Sequence, residues 1–79
     1  MKTRHYKIEI FDEDEDKTNS LRHYYVLFSV TSKDKPSTSW IIGEAHNQLV
    51  ISDKQRQNTI GIKEISKFKF ERILNGTSK

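Results

Sequence analysis

No cysteine occurs anywhere in the 79 residues, so neither a disulfide framework nor a thiolate metal site is available. A small secreted domain usually needs such staples, which points to an intracellular, cytoplasmic setting. Apolar runs are equally scarce. The first twenty residues hold nothing resembling a signal peptide, and no stretch approaches the ~20 apolar residues of a membrane span. Proline occurs once and glycine three times, at Gly43, Gly61 and Gly76, each standing alone. That spacing excludes a glycine-rich phosphate loop, and nothing resembles a nucleophile elbow. The three histidines, His5, His23 and His46, share no ligand spacing, although His5 and His23 could approach if the first two strands pair. A chain this short leaves little room for a water-excluding cleft. These absences together argue against an enzyme, a cofactor or a small-molecule substrate.

What is present is charge, unevenly placed. The net charge of +3 conceals an acidic run, Asp12-Glu13-Asp14-Glu15-Asp16, and a basic C-terminal half. From Lys54 onward, seven Lys or Arg stand against two Glu. Asp12, Asp14 and Asp16 have the one-three-five spacing of a calcium loop, but Lys17 stands where glycine is required and His23 where a bidentate glutamate belongs. No metal site is therefore expected. The run reads as a solubilising loop tip or as an anionic docking surface.

The residue pattern is that of alternating faces. Arg4–Phe11 places Tyr6, Ile8 and Ile10 on one side and Lys7 and Glu9 on the other, the period-two mark of a half-buried strand. Leu21–Thr31 is denser still in aromatic and β-branched residues, apolar on both faces, and so predicted to be central. The polar Ser32–Ser39 segment with Pro36 is a loop. Short strands are predicted at Trp40–Gly43 and Leu49–Ile51, joined by a turn in which Asn47 takes the left-handed conformation. Asn58–Arg72 alternates twice more, through Ile60 and Ile62 and through Phe68 and Phe70. On a helical wheel its apolar residues scatter, so two further strands are predicted there.

The sum is an all-β single domain over residues 1–74 with a tail at 75–79: about six short strands in an antiparallel meander closing into a small barrel or strongly curled sheet. Its expected core is Tyr6, Ile8, Ile10, Val26, Phe28, Val30, Ile42, Leu49, Ile51, Ile60, Ile62, Ile65, Phe68 and Phe70. At this size only a little over about 60% of the unfolded surface is buried, so a dimer sharing apolar surface would be unsurprising.

Such a module is expected to bind rather than catalyse. A protein partner, or a second copy of the chain, would meet the acidic loop Asp12, Glu13, Asp14, Glu15 and Asp16 together with exposed Tyr25 and Trp40. The alternative is a nucleic-acid binder using a basic band of Lys54, Arg56, Lys63, Lys67, Lys69 and Arg72, with Tyr24, Tyr25 or Trp40 as stacking platforms. Alternating lysines are also the ordinary wet face of a strand and guard an edge against aggregation. The abundance of Lys, Asn, Ile and Ser suggests an AT-rich coding genome such as that of some bacteria and phages, a source that would fit a small inhibitor or accessory factor.

Overall fold

The first two predicted strands form one long hairpin, and everything else is arranged against it. The computed structural model describes residues 1–14 and 20–75. β1 (Lys2–Asp14) pairs antiparallel with β2 (Ser20–Ser32) from Lys2↔Ser32 to Asp14↔Ser20. β3 (Thr59–Ile65) joins the other side of β1, giving the order β2-β1-β3. The central strand is therefore β1, and β2, expected at the centre, is an edge. Asp12, Glu13 and Asp14, expected in a polar connection, belong to β1; Glu15 and Asp16 lie outside the described residues.

Alternation decides which face folds the protein. Tyr6, Ile8 and Ile10 of β1 pair with Phe28, Val26 and Tyr24 of β2, and their side chains share one face. The described residues also form three helices: α1 (Thr38–Asn47), α2 (Asp53–Gln57) and α3 (Lys67–Leu74). α1 sets Ile41 and Ala45, four residues apart, onto that face, and Ile51 closes the cluster. Ile8, Ile10, Ile41 and Ile51 are the largest fully buried side chains. The principal dimensions are 45 × 32 × 18 Å, and the strand order β2-β1-β3 describes an open sheet with α1 and α2 on one face and α3 at one end of the other.

The fold is mostly antiparallel sheet, as expected, but the described residues form three strands instead of six, in a sheet that is not closed into a barrel. Trp40–Gly43 is helical because Ser37 caps α1, accepting a hydrogen bond from the Trp40 N–H at 3.2 Å, and the Ile41/Ala45 pair supplies a dry stripe. α1 ends with Val50 N–H donating to Ala45 O and Leu49 N–H to His46 O, a Schellman closure. The left-handed residue is thus Leu49 (φ 62°), not Asn47. Leu49–Ile51 is no strand, and Leu49 points into solvent. Ser52 then forms a reciprocal capping box with Gln55 and starts α2.

Lys67–Phe70 is likewise helical: Ser66 accepts the Lys69 N–H at 3.1 Å and opens α3. On a helix, Phe68 and Phe70 cannot share a face. Phe70 packs its ring against His5 at 4.6 Å between centroids, whereas Phe68, expected in the core, is 70% exposed. Ile60, also expected inside, is displaced by a bulge. Glu9 pairs with Gly61 and Ile10 with Thr59, so Ile60 is the extra residue and turns outward.

Candidate functional site

The other face of the sheet is formed by the odd-numbered residues of β1 and β2 and by Gly61, Lys63 and Ile65 of β3. α3 covers only one end of it, where Ile65 and His5 sit opposite each other under Phe70. Towards the far end, Phe11, His23 and Tyr25 line up with ring centroids 6.3 Å and 5.4 Å apart. The Lys7 ammonium lies 4.2 Å above the Tyr25 ring, and His23 Nε2 meets the Glu9 carboxylate. Leu21, beside Glu13 in register, is 65% exposed; Phe11 and Tyr25 are nearly half exposed. Beside Tyr25, a groove of about 270 Å³ lined by Lys7, Glu9, Gly61 and Lys63 runs across β1 to β3. A Cβ at Gly61 would stand 3.5 Å from Glu9 Oε1, so a side chain there would narrow the groove.

This patch mixes rings, aliphatic side chains and both signs of charge. Lys7 and Lys63 are direct cross-strand partners, an unfavourable pairing that Glu9 and Tyr25 temper. Sequence pattern had flagged Tyr25. Leu21 reads on the same partly apolar face as Tyr25 without being named as a contact, and Phe11 escaped notice because it reads as the end of a strand, although its odd position places it beside Tyr25.

Trp40 belongs elsewhere. It is half exposed on α1, the helix packed on the opposite side of the sheet, so it cannot share a contact surface with Tyr25. Asp12 is also not a docking group, since it faces the helices and is 5% exposed. Arg22 Nε donates to its Oδ1 at 3.1 Å and the Tyr24 hydroxyl to Oδ2 at 2.8 Å; Gln55 Nε2 in turn donates to the Tyr24 hydroxyl. Burial alone would raise the Asp12 pKa, but the Tyr24 and Arg22 hydrogen bonds, with Arg22 and Lys54 charge nearby, outweigh it and hold the carboxyl below its ordinary 3.8. This network and the Lys54 ammonium on Glu13 O tie α2 to the hairpin. Of the acidic residues, Glu13 is the exposed one whose side chain is described.

The six basic residues do not make one band. Lys54 and Arg56 lie on α2, against the Asp12–Glu13 end of the hairpin, where Arg56 donates to His46 Nδ1 at 3.0 Å. Lys63 lies on β3 beside Lys7. Lys67, Lys69 and Arg72 are on α3, at the His5 end and on the other side of the sheet. His5 and Asp12 are seven residue steps apart along β1, roughly 23 Å of extended chain. α3 does present a second, local surface: Phe68, Lys69, Arg72 and Ile73 line a groove of about 450 Å³, with the Arg72 guanidinium 5.7 Å from the Phe68 ring. Near it, Lys2, Arg4, Glu64 and Lys67 line a cavity of about 390 Å³. Arg4 Nη1 and the Tyr6 hydroxyl are buried without a hydrogen-bond partner among the described residues.

The histidines do not converge. His5 accepts or donates at Ser29 Oγ, His23 meets Glu9, and His46 bridges Asp53 and Arg56. Among the described residues no three His, Asp or Glu side chains are grouped to hold a metal, and no helix is long and apolar enough to cross a membrane. Comparison of the chain with protein-family models, with curated proteins and with solved structures returns no match.

Proposed function

We propose that the protein is a small, non-enzymatic binding module that docks another protein on the uncovered face of its sheet. One observation carries this: Phe11, Leu21, His23 and Tyr25 form a contiguous, partly exposed apolar strip on a face that, among the described residues, no helix covers beyond His5. Apolar patches of this kind, rimmed by charge, mark interaction sites. The aromatic residues supply contact area at low entropic cost, and Lys7, Glu9 and Glu13 supply a polar rim. The reading keeps the intracellular setting expected of a cysteine-free chain.

A nucleic-acid strand is the second reading, favoured by α3 alone, where Lys67, Lys69 and Arg72 surround the exposed Phe68. On the sheet itself the rings are engaged by Lys7 and by the Glu9–His23 pair, and acidic Glu13 stands at the end of the strip, which suits a phosphate backbone poorly.

The test uses two variants side by side as bait in lysate of the native host. Phe11→Lys/Leu21→Lys should lose a captured protein that the wild type and Trp40→Glu both retain. Retention of the wild type on single-stranded DNA at moderate salt, abolished by Lys67→Glu/Lys69→Glu/Arg72→Glu, would instead establish the second reading.

A further inference from the structure

The two edges of the sheet differ in how they are protected. The β3 edge is short, is broken by the bulge at Ile60 and carries Lys63 and Glu64. These are the usual devices that keep an exposed edge from pairing with another chain. β2 has neither the brevity nor the bulge, and Arg22 near its start is its one Lys, Arg, Asp or Glu. It is 13 residues long, and from Tyr24 to Ser32 it contains no charged residue, no proline and no glycine. Its backbone pairs with β1 and, among the described residues, with no other segment. Tyr24, Val26 and Leu27 along it remain half-buried, although the helices cover the face to which Tyr24 and Val26 belong.

We infer that the β2 edge is where a second copy of the chain pairs, antiparallel, about a two-fold axis through Val26. This deepens the reading of the sheet as the interaction surface, on which it rests, by naming one partner and the place it occupies. Val26 is the midpoint of Ser20–Ser32, so centring there pairs the whole strand. In that register Tyr25 stands opposite Leu27 of the second copy on the open face, and Tyr24 opposite its Phe28 on the covered face. Arg22 stands opposite Val30, so no like charges meet anywhere along the strand.

The ends are complementary. Ser32 comes opposite Ser20 of the second copy, so Lys33, the next residue, lies about two strand spacings (roughly 10 Å) from Glu13 at the acidic end of that copy's hairpin. The result is a six-stranded sheet, β3-β1-β2-β2-β1-β3, with both open faces on one side. The Phe11–His23–Tyr25 strips of the two copies would then form one platform. The interface is isologous, as a closed two-fold dimer requires.

Sedimentation of the full chain from about 1 μM to about 1 mM should show the mass rising from 9.3 kDa towards twice that value. Over the same range, the alternate β2 amides that do not bond to β1 should pass from fast to slow hydrogen exchange. Tyr25→Lys/Leu27→Lys and Tyr25→Glu/Leu27→Glu should each weaken the dimer by about tenfold or more, because residues 25 and 27 face each other across the axis. Mixed in equal amounts, the two variants should recover a heterodimer. A wild type that stays at 9.3 kDa with those amides unprotected would overturn the proposal. So would a dimer indifferent to both variants, or one not recovered on mixing. A monomer that still captures a partner through Phe11 and Leu21 would overturn the dimer alone. A dimer that captures nothing would overturn only the reading of the open face.

Discussion

The two faces of β1 belong to one strand and do opposite things. Its even positions, Tyr6, Ile8, Ile10 and Asp12, are all buried beneath the helices. Its odd positions, Lys7, Glu9, Phe11 and Glu13, face outward among rings and charges. The same alternation therefore separates folding from recognition at a spacing of one residue. Changes on the covered face should cost stability and leave the other surface intact if the chain folds. Changes on the open face should do the reverse.

The largest effect expected from breaking this contrast is at Ile8, which is completely buried. Ile8→Ala should lose about 2–5 kcal/mol in denaturant titration, whereas Phe11→Ala, one and a half turns of the alternation away, should cost well under half of that. Next comes Asp12, the buried carboxylate on the covered face of β1. Its folded pKa lies below 3.8, so its ionised form stabilises the fold above about pH 3.8, and that contribution is lost as pH falls through the lower folded value. Melting temperature should accordingly drop on acidification below pH 3.8; Asp12→Asn should melt lower at neutral pH and show a flatter acid limb. An acid limb identical in both proteins would remove Asp12 from the account.

Smaller effects sharpen the comparison at the helices. Ser66→Ala removes the cap of α3 and should cost about 1 kcal/mol, loosening the helix that covers one end of the open face. Thermal melts with exchange rates for residues 67–74 would report both. Leu49→Gly should raise stability by about 0.5–1 kcal/mol, since Leu49 is 88% exposed and holds a left-handed conformation natural to glycine. Smallest is Lys63→Glu, which replaces the like-charge partner of Lys7 and should add a few tenths of a kcal/mol, lost at high salt.

The hairpin was legible because period-two alternation over Arg4–Phe11 and Leu21–Thr31 admits one reading, and the buried face followed from it. The helices were not, for reasons visible in the residues. Trp40-Ile41-Ile42 is rich in residues that favour strands, and α1 forms because Ser37 caps it and the sheet receives Ile41 and Ala45. That is tertiary context overriding propensity. In KFKF the alternation was real but misread: on α3 it leaves Phe68 in solvent, and the informative residue was Ser66, placed three before the Lys69 N–H it accepts. Ile60 failed as a core residue because a bulge shifts register by one, which no periodicity reveals in advance.

Of the surfaces, Tyr25 was recoverable from the two-faced pattern of β2. The basic band was not, since it presumed that Lys67, Lys69 and Arg72 continued the β3 strand. With α3 a helix at the opposite end from α2, the six cations separate into three places. The acidic run divided as well, Asp12 turning inward to Arg22 and Tyr24 while Glu13 stays outside.

The most direct measurement pairs a melt with a binding assay on Phe11→Lys/Leu21→Lys. Both residues lie on the open face, so the melting temperature should stay within a few degrees of wild type while the captured protein is lost. A variant that unfolds, or one that folds and still binds as the wild type does, would contradict the assignment of folding to one side of the sheet and recognition to the other.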